Sequence, residues 1–322
     1  MHPKIHFVVN RLTPGELAEL CAKRLGVDFP YWLGGPVNWP VQTYLQLRGW
    51  RDGISIGTAA QPGAINIAHV TAWHELGARI GEYRVSMRAD YTRVFDVDFE
   101  ILQNPEAVRT ATQGYVCYWP VPGIIPRDPG RRGLACIAYA GRPGARNLDG
   151  FLNRPHFPLH GRTVDFLHIA KEQWHNMANV DAVVGIRSFS NQTYPDKPPS
   201  KLINAWHARV PLIGGYDSAF SKIGTPGEDY LRVQTTAEFE EALALLDDPE
   251  VYARIVENGA AKARAFTAEA LAQNWLELFD TKVIPHFLNH GPLATVPRLL
   301  RRSLDHGRDL LSRAKRRLRV RR

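Results

Sequence analysis

A chain of 322 residues, 44% hydrophobic and 22% charged, is long enough for about two cores of ordinary size and needs no disulfide staples. Its three cysteines, Cys21, Cys117 and Cys136, are odd in number and lack metal-ligand spacing, so a disulfide framework and a cysteine zinc site are excluded. They read as reduced, buried thiols of a cytoplasmic protein. The net charge of +8 is concentrated: residues 297–322 hold 11 Lys/Arg and 2 Asp/Glu, and the other 296 residues hold 29 against 30. The high pI therefore belongs to the tail and says little about the partner of the body.

The first apolar run, Ile5-His6-Phe7-Val8-Val9, reads as a strand rather than a leader, and no run reaches the roughly 18 apolar residues a membrane span requires. Thr13-Pro14-Gly15-Glu16 has the form of a capping box with proline at the first helical position. Leu17, Leu20, Cys21 and Leu25 follow at helical spacing, up to Gly26. The stretch 29–50 is aromatic-rich, with Tyr31, Trp32, Trp39, Tyr44 and Trp50, and is expected to be irregular because Gly34-Gly35-Pro36 interrupts it. Strands are expected at 54–56, 65–68, 83–87 and 99–103, with a helix around 73–80. Residues 118–130 hold four prolines and two glycines and are expected to link two units.

A second unit follows with the same rhythm. Leu134–Ala140 is a continuous apolar run, as in a strand buried on both faces. Further strands are expected at 164–169, 181–186, 210–214 and 230–233. Helices are expected at 201–208, from a capping box at Thr235 and Glu238 to Leu246, at 250–266 and at 267–287. Short strands alternating with helices predict an α/β protein with parallel sheets. The expected divisions are 1–125, 131–268, a crossing helix 269–290 and a basic tail 291–322.

The most informative segment runs from Asp196 through Lys197-Pro198-Pro199-Ser200-Lys201 to Asn204, then Val210-Pro211-Leu212-Ile213. It reads as loop, helix N-terminus, helix and strand. Such a terminus presents unpaired N–H groups and the positive end of a dipole, and so favours phosphate. Ser200 adds a hydroxyl and Lys201 a point charge suited to a diphosphate.

This segment resembles the C-terminal domain of retaining glycosyltransferases with the GT-B fold. Those carry an acidic residue, seven intervening residues and a glutamate at the start of a helix, then small residues and Pro-Val-Ile. Asp196 and Asn204 hold the two positions here, and both depart from glutamate. The resemblance implies two facing Rossmann-like domains around a cleft. It implies that Asp196 touches the donor sugar and Asn204 the ribose. Gly141, Arg142 and Arg187 would lie near the phosphates, with Arg146 close behind Arg142. Gly214-Gly215 and the turn Pro226-Gly227-Glu228 fit the same picture, as does the late helix with Trp275 and Phe279, expected to return to the first domain. Plain alternatives are surface ion pairs for Arg142 and Arg187, a solvated Lys201 and a merely polar Asn204.

From the first domain, His69 is the expected contact to the donor sugar, because it ends a strand where some retaining members have a histidine. His74-Glu75 competes with it, and Arg88-Ala89-Asp90-Tyr91 can also reach the cleft. The catalytic set is thus His69, Lys201 and Asp196. The donor-binding set is Gly141, Arg142, Arg187, Ser200, Lys201 and Asn204. No metal or other cofactor is expected, since fixed cations can stabilise the leaving diphosphate. Asp96-Val97-Asp98 is the minority reading as a metal motif. Apolar residues recur through the tail from Val296 to Leu318 with Arg and Lys around them, predicting a basic amphipathic helix on an anionic membrane surface. The resulting expectation is a cytoplasmic, peripherally attached transferase that uses a nucleotide-sugar donor and a glycan or lipid-linked acceptor. The alternatives are a binding module that acts through its tail, on a membrane or less readily on nucleic acid, and a sugar-nucleotide epimerase.

Overall fold

The computed structural model describes residues 3–27, 34–77, 81–91, 96–141 and 149–290. Tyr31, Trp32, Arg142, Arg146 and the tail 291–322, with its expected helix, lie outside the described residues.

The chain opens with β1 (Ile5–Val8), α1 (Pro14–Ala22), α2 (Gly35–Leu47), β2 (Ile54–Gly57), β3 (Ile65–His69), α3 (Val70–Leu76), β4 (Tyr83–Met87), β5 (Phe99–Leu102) and β6 (Gln113–Tyr115). The capping box at Thr13 and Glu16 is formed, with both reciprocal bonds present. All six strands run parallel in the order β2-β1-β3-β4-β5-β6. The inner strands are buried on both faces yet alternate apolar with polar residues, as in Ile65-Asn66-Ile67 and Tyr83-Arg84-Val85-Ser86-Met87, because Asn66 and Arg84 find partners: Asn66 bonds the Gln61 and Ala64 backbone and Arg84 pairs with Glu82 and Asp96.

The second unit contains β7 (Cys136–Tyr139), α4 (Asp149–Leu152), β8 (His156–Leu159), β9 (Arg162–His168), β10 (Ala182–Gly185), α5 (Ser200–His207), β11 (Leu212–Gly214), α6 (Ser218–Ile223) and β12 (Leu231–Arg232). Its sheet order is β12-β11-β10-β7-β9-β8, parallel except for the β8–β9 hairpin. The hairpin turns on His160 and Gly161, both at positive φ, as a two-residue turn of matching twist requires. Four helices follow the strands: α7 (Thr236–Asp247), α8 (Pro249–Ala263), α9 (Ala268–Leu278) and, after a π-turn, α10 (Ile284–His290).

Two segments bind the units together. The proline-rich stretch 118–130 is a packed crossing with its aromatic half buried. Asn38 donates to the Tyr118 hydroxyl at 2.8 Å, Gln42 to the Pro120 carbonyl at 3.0 Å, and the Trp119 indole N–H to Thr43 at 3.0 Å. Its later half joins the second unit, where the N–H groups of Ile125 and Arg127 donate to the carbonyls of His175 and Ala208. The helices α9 and α10 return to the first sheet. Trp275 stacks on Trp119 with centroids 6.4 Å apart, Asp280 pairs with Arg51 at 2.6 Å, and the Tyr83 hydroxyl meets His286 Nδ1 at 2.7 Å. Gly114 on β6 makes this docking possible, since a Cβ there would lie 2.3 Å from Leu278.

Candidate functional site

In open parallel sheets, ligands bind at the carboxyl ends of the strands where the strand order reverses. The second sheet reverses between β7 and β10. At that point β7 runs out into Ala140 and Gly141, β10 into Ile186 and Arg187, and α5 begins immediately after the loop from β10. No side chain caps the start of α5.

Lys201 stands in the first turn of α5. Its ammonium donates to the Ala140 carbonyl at 2.5 Å and lies 4.2 Å from the centre of the Tyr139 ring. Burial lowers its pKa to about 7, with Arg187 adding repulsion and Asp217 partly opposing both. Gly141 packs tightly here: a Cβ would lie 2.6 Å from the Tyr139 ring and 2.9 Å from the Lys201 nitrogen, so these side chains would have to move to admit one. Ser200 is the first residue of the same helix. Arg187 pairs through Nε with Asp217 Oδ1. Burial pushes the Asp217 carboxyl up, Arg187 counteracts it, and Oδ2 has no hydrogen-bond partner among the described residues. The structure therefore brings together Gly141, Arg187, Ser200 and Lys201. Two ammonium- and guanidinium-type cations at a helix N-terminus form an anion-binding arrangement. Lys201 is half-buried as a residue, but its nitrogen is turned into the protein, onto the Ala140 carbonyl and the Tyr139 ring.

Asp196 and Asn204 lie elsewhere than on this cluster. Asp196 pairs with Arg88 from the end of β4. Asn204 accepts from the Val121 backbone N–H at 3.1 Å. Both side chains thus contact the first unit or its crossing segment. Lys197, beside Asp196, reaches Asp90 at 2.9 Å, and its carbonyl accepts from Asn104 at 3.1 Å.

His69 ends β3, at the reversal of the first sheet between β1 and β3. Its ring caps α3: Nδ1 accepts the Thr71 N–H at 3.3 Å and meets the Thr71 hydroxyl at 2.9 Å, contacts that together favour the tautomer with the ring proton on Nε2. Nε2 is buried without a partner among the described residues and faces Gly35 at the start of α2. Burial lowers the pKa to about 4, so the ring is neutral and a donor at physiological pH. The competing Glu75 is held by Arg11 and Asn10 at the rim.

Asp96 and Asp98 are committed to the core. Arg84, fully buried, reaches Asp96 at 3.3 Å and Glu82 at 2.7 Å, its backbone N–H donates to Asp98 at 2.7 Å, and its guanidinium lies 4.9 Å from the Trp73 ring. Among the described residues no group of three or more His, Cys, Asp or Glu side chains is arranged to hold a metal ion. No described helix is long and apolar enough to cross a membrane.

Tyr139 and Asp217 are the two site residues that local pattern does not single out. Tyr139 reads as one more apolar strand residue. Asp217 precedes α6, a six-residue helix too short to show a period, although an aspartate before such a helix is a start signal.

No protein-family model matches the chain, and no curated protein gives a significant sequence match. Solved structures do resemble it. Anabaena HepE, in a crystal structure with UDP-glucose, is 12% identical with a TM-score of 0.54, over 87% of this chain and 100% of that one. AviGT4, a glycosyltransferase involved in avilamycin A biosynthesis, is 11% identical with a TM-score of 0.52, over 88% and 98%. A glycosyltransferase from Rickettsia africae is 8% identical with a TM-score of 0.51, over 88% and 99%.

The buried Lys201 makes a prediction about stability. Between pH 7 and 10.5 the unfolded chain binds the proton and the folded chain does not, so wild-type stability gains with pH through that window. Lys201→Met removes this dependence. Its urea midpoint should exceed that of the wild type most at pH 6 and by much less at pH 9.5; a gap that stays constant would contradict a depressed Lys201 pKa. With both sheets parallel at their centres, reversing where the charged residues gather, the chain has the GT-B fold.

Proposed function

We propose that the protein is a glycosyltransferase that moves a sugar from a nucleotide-sugar donor to a glycan or lipid-linked acceptor, with retention at the anomeric carbon. The observation that carries the reading is the enclosed Lys201 at the start of α5, beside Arg187 and Gly141 at the reversal of the second sheet. The resemblance of the 196–213 segment and the fold shared with glycosyltransferase structures support it.

In this reading the donor diphosphate lies against the α5 N-terminus, Ser200, Lys201, Arg187 and Gly141, with Arg142 nearby. A phosphate raises the Lys201 pKa by supplying the counter-charge it lacks. The acceptor hydroxyl oxygen bonds to the anomeric carbon as the carbon–oxygen bond to the diphosphate breaks. That bonding pair leaves on the nucleoside diphosphate, whose oxygen receives the hydroxyl proton. Lys201 and Arg187 stabilise the growing negative charge, and fixed, desolvated cations do so without reorganising. His69 Nε2–H donates to a sugar hydroxyl. Asp196, half exposed and oriented by Arg88, takes the remaining contact to the donor sugar. The Asn204 amide nitrogen faces the ribose, its oxygen being engaged by Val121.

A thermal-shift screen against UDP, GDP, CMP and dTDP and their sugars tests this. One nucleotide at a hundredfold excess over its Kd stabilises the fold by about 2.7 kcal/mol, a rise of several degrees. The rise should vanish in Lys201→Ala; no shift with any nucleotide would reject the reading.

A lipid-linked acceptor fits a tail with a net charge of +9 in residues 297–322, each cation contributing about 1 kcal/mol at an anionic surface. The full chain should co-sediment with phosphatidylserine vesicles and the chain lacking 297–322 should not; equal binding by the two would remove the membrane from the account.

A further inference from the structure

The turn Arg88-Ala89-Asp90-Tyr91 leaves β4 in an unusual conformation. Ala89 sits at φ 52°, in the left-handed region that a non-glycine residue seldom enters. The surroundings impose it. The Ala89 N–H donates to the buried Gln103 side chain at 2.7 Å, the Arg88 N–H to the Ile101 carbonyl at 3.0 Å, and the Tyr91 N–H back to Arg88 at 3.2 Å. Strain maintained by so many bonds tends to occur where a side chain must be delivered to a particular place.

Three side chains are delivered. Arg88 goes to Asp196 on the second unit rather than to its neighbour Asp90, the ion pair that local sequence suggests. Tyr91 sets its ring edge-on to His69, with centroids 4.9 Å apart. Asp90 lies between them. Lys197 holds its Oδ2 at 2.9 Å, yet the side chain remains 48% exposed. It lies within electrostatic reach of Arg187 on the donor side and of His69 on the acceptor side. Burial raises its pKa, but Lys197 and Arg187 outweigh burial and the net shift is downward, so the group stays a carboxylate that only accepts.

We propose that Asp90 orients the acceptor, accepting a hydrogen bond from the hydroxyl that attacks the donor sugar. This rests on the glycosyltransferase reading. The geometry places an accepting carboxylate between the two sheets' strand ends, one oxygen fixed by Lys197 and the side chain open to a ligand. Asp90 keeps the hydroxyl oxygen aimed at the anomeric carbon, and the hydroxyl proton goes to the departing diphosphate, as in the step above. Tyr91 walls the same place with an aromatic face suited to a sugar ring.

The probe is the sugar nucleotide that gives the largest thermal shift, with water as the acceptor. Release of nucleoside diphosphate and the Kd of the donor are measured separately, alongside the thermal midpoint as a check on folding. Asp90→Ala, which removes the accepting oxygens, should bind the donor within about twofold of wild type and release product about 100-fold more slowly, the scale of loss when a reacting group is misplaced by about 1 Å. Lys197→Met, which removes the ion pair but keeps the carboxylate, should release product within about fivefold of wild type. Equal release by Asp90→Ala and wild type would overturn the proposal. So would an equally large loss in Lys197→Met, because Asp90 would then act only as a latch between the units. Absence of donor binding by the wild type would instead reject the transferase reading and, with it, this inference.

Discussion

An ammonium group enclosed by protein with no carboxylate in contact is unfavourable, and the ordinary escape is to lose its proton. Lys201 is in that position: its hydrogen-bond partner among the described residues is a carbonyl, and it lies over the aromatic face of Tyr139. The surroundings preserve this arrangement. Gly141 omits the Cβ that would displace the nitrogen, and Asp217, the nearest balancing charge, is turned toward Arg187. A site tuned for stability would pair Lys201 with Asp217 directly. In the proposed reading, leaving the pair unmade keeps the Lys201 nitrogen available to a ligand phosphate, a cost in stability of the kind functional sites carry.

A donor site on one sheet becomes a transferase only if the acceptor is presented at the correct distance, and that distance depends on how the two units are joined. The junction has two characters. Through the crossing segment and α9 it is apolar and closely packed: Trp119 on Trp275, with Leu278 seated over Gly114. At the strand ends it is ionic and partly exposed: Arg88 with Asp196, and Lys197 with Asp90. Exposed ion pairs contribute little to stability, roughly 0–1 kcal/mol. Arg88–Asp196 serves better to set register, and Asp196 and Lys197 both lie in the loop that precedes α5. Asn204, tied to Val121, sits on the same helix. The two positions at which the resemblance expects donor contacts therefore also connect the units.

The sequence showed much of this because parallel strands buried on both faces are short apolar runs, and helix starts carry chemical signatures. The run at 134–140, which contains β7, and the box at Thr13 are examples. Lys201, Arg187, Ser200 and Gly141 were legible for the same reason: strand ends and helix starts are local. What could not be read was tertiary. The stretch 29–50 reads as irregular because Gly34-Gly35-Pro36 interrupts it, yet Gly35–Leu47 forms α2. The helix holds because Pro36 occupies the first turn, where no N–H is needed, and packing onto β3 and the crossing offsets the bond lost at Pro40. Strand β8 alternates in burial over only four residues and carries Pro158, tolerated because the strand is at a sheet edge. The Asp-x-Asp at 96–98 carries the spacing of a metal motif, and only the fold reveals Arg84 beside it. That Asp196 pairs with Arg88, 108 positions away, is likewise invisible to local pattern.

The account turns on Lys201 being a depressed cation that waits for a phosphate. Calorimetric titration with UDP at pH 8, repeated in two buffers of different ionisation enthalpy, reads that directly. A free Lys201 with a pKa of about 7 is largely neutral at that pH, and bound diphosphate should draw a proton onto it. The account predicts net uptake approaching one proton per nucleotide bound, absent in Lys201→Met. Binding with no proton uptake, or with uptake unchanged in that variant, would contradict it.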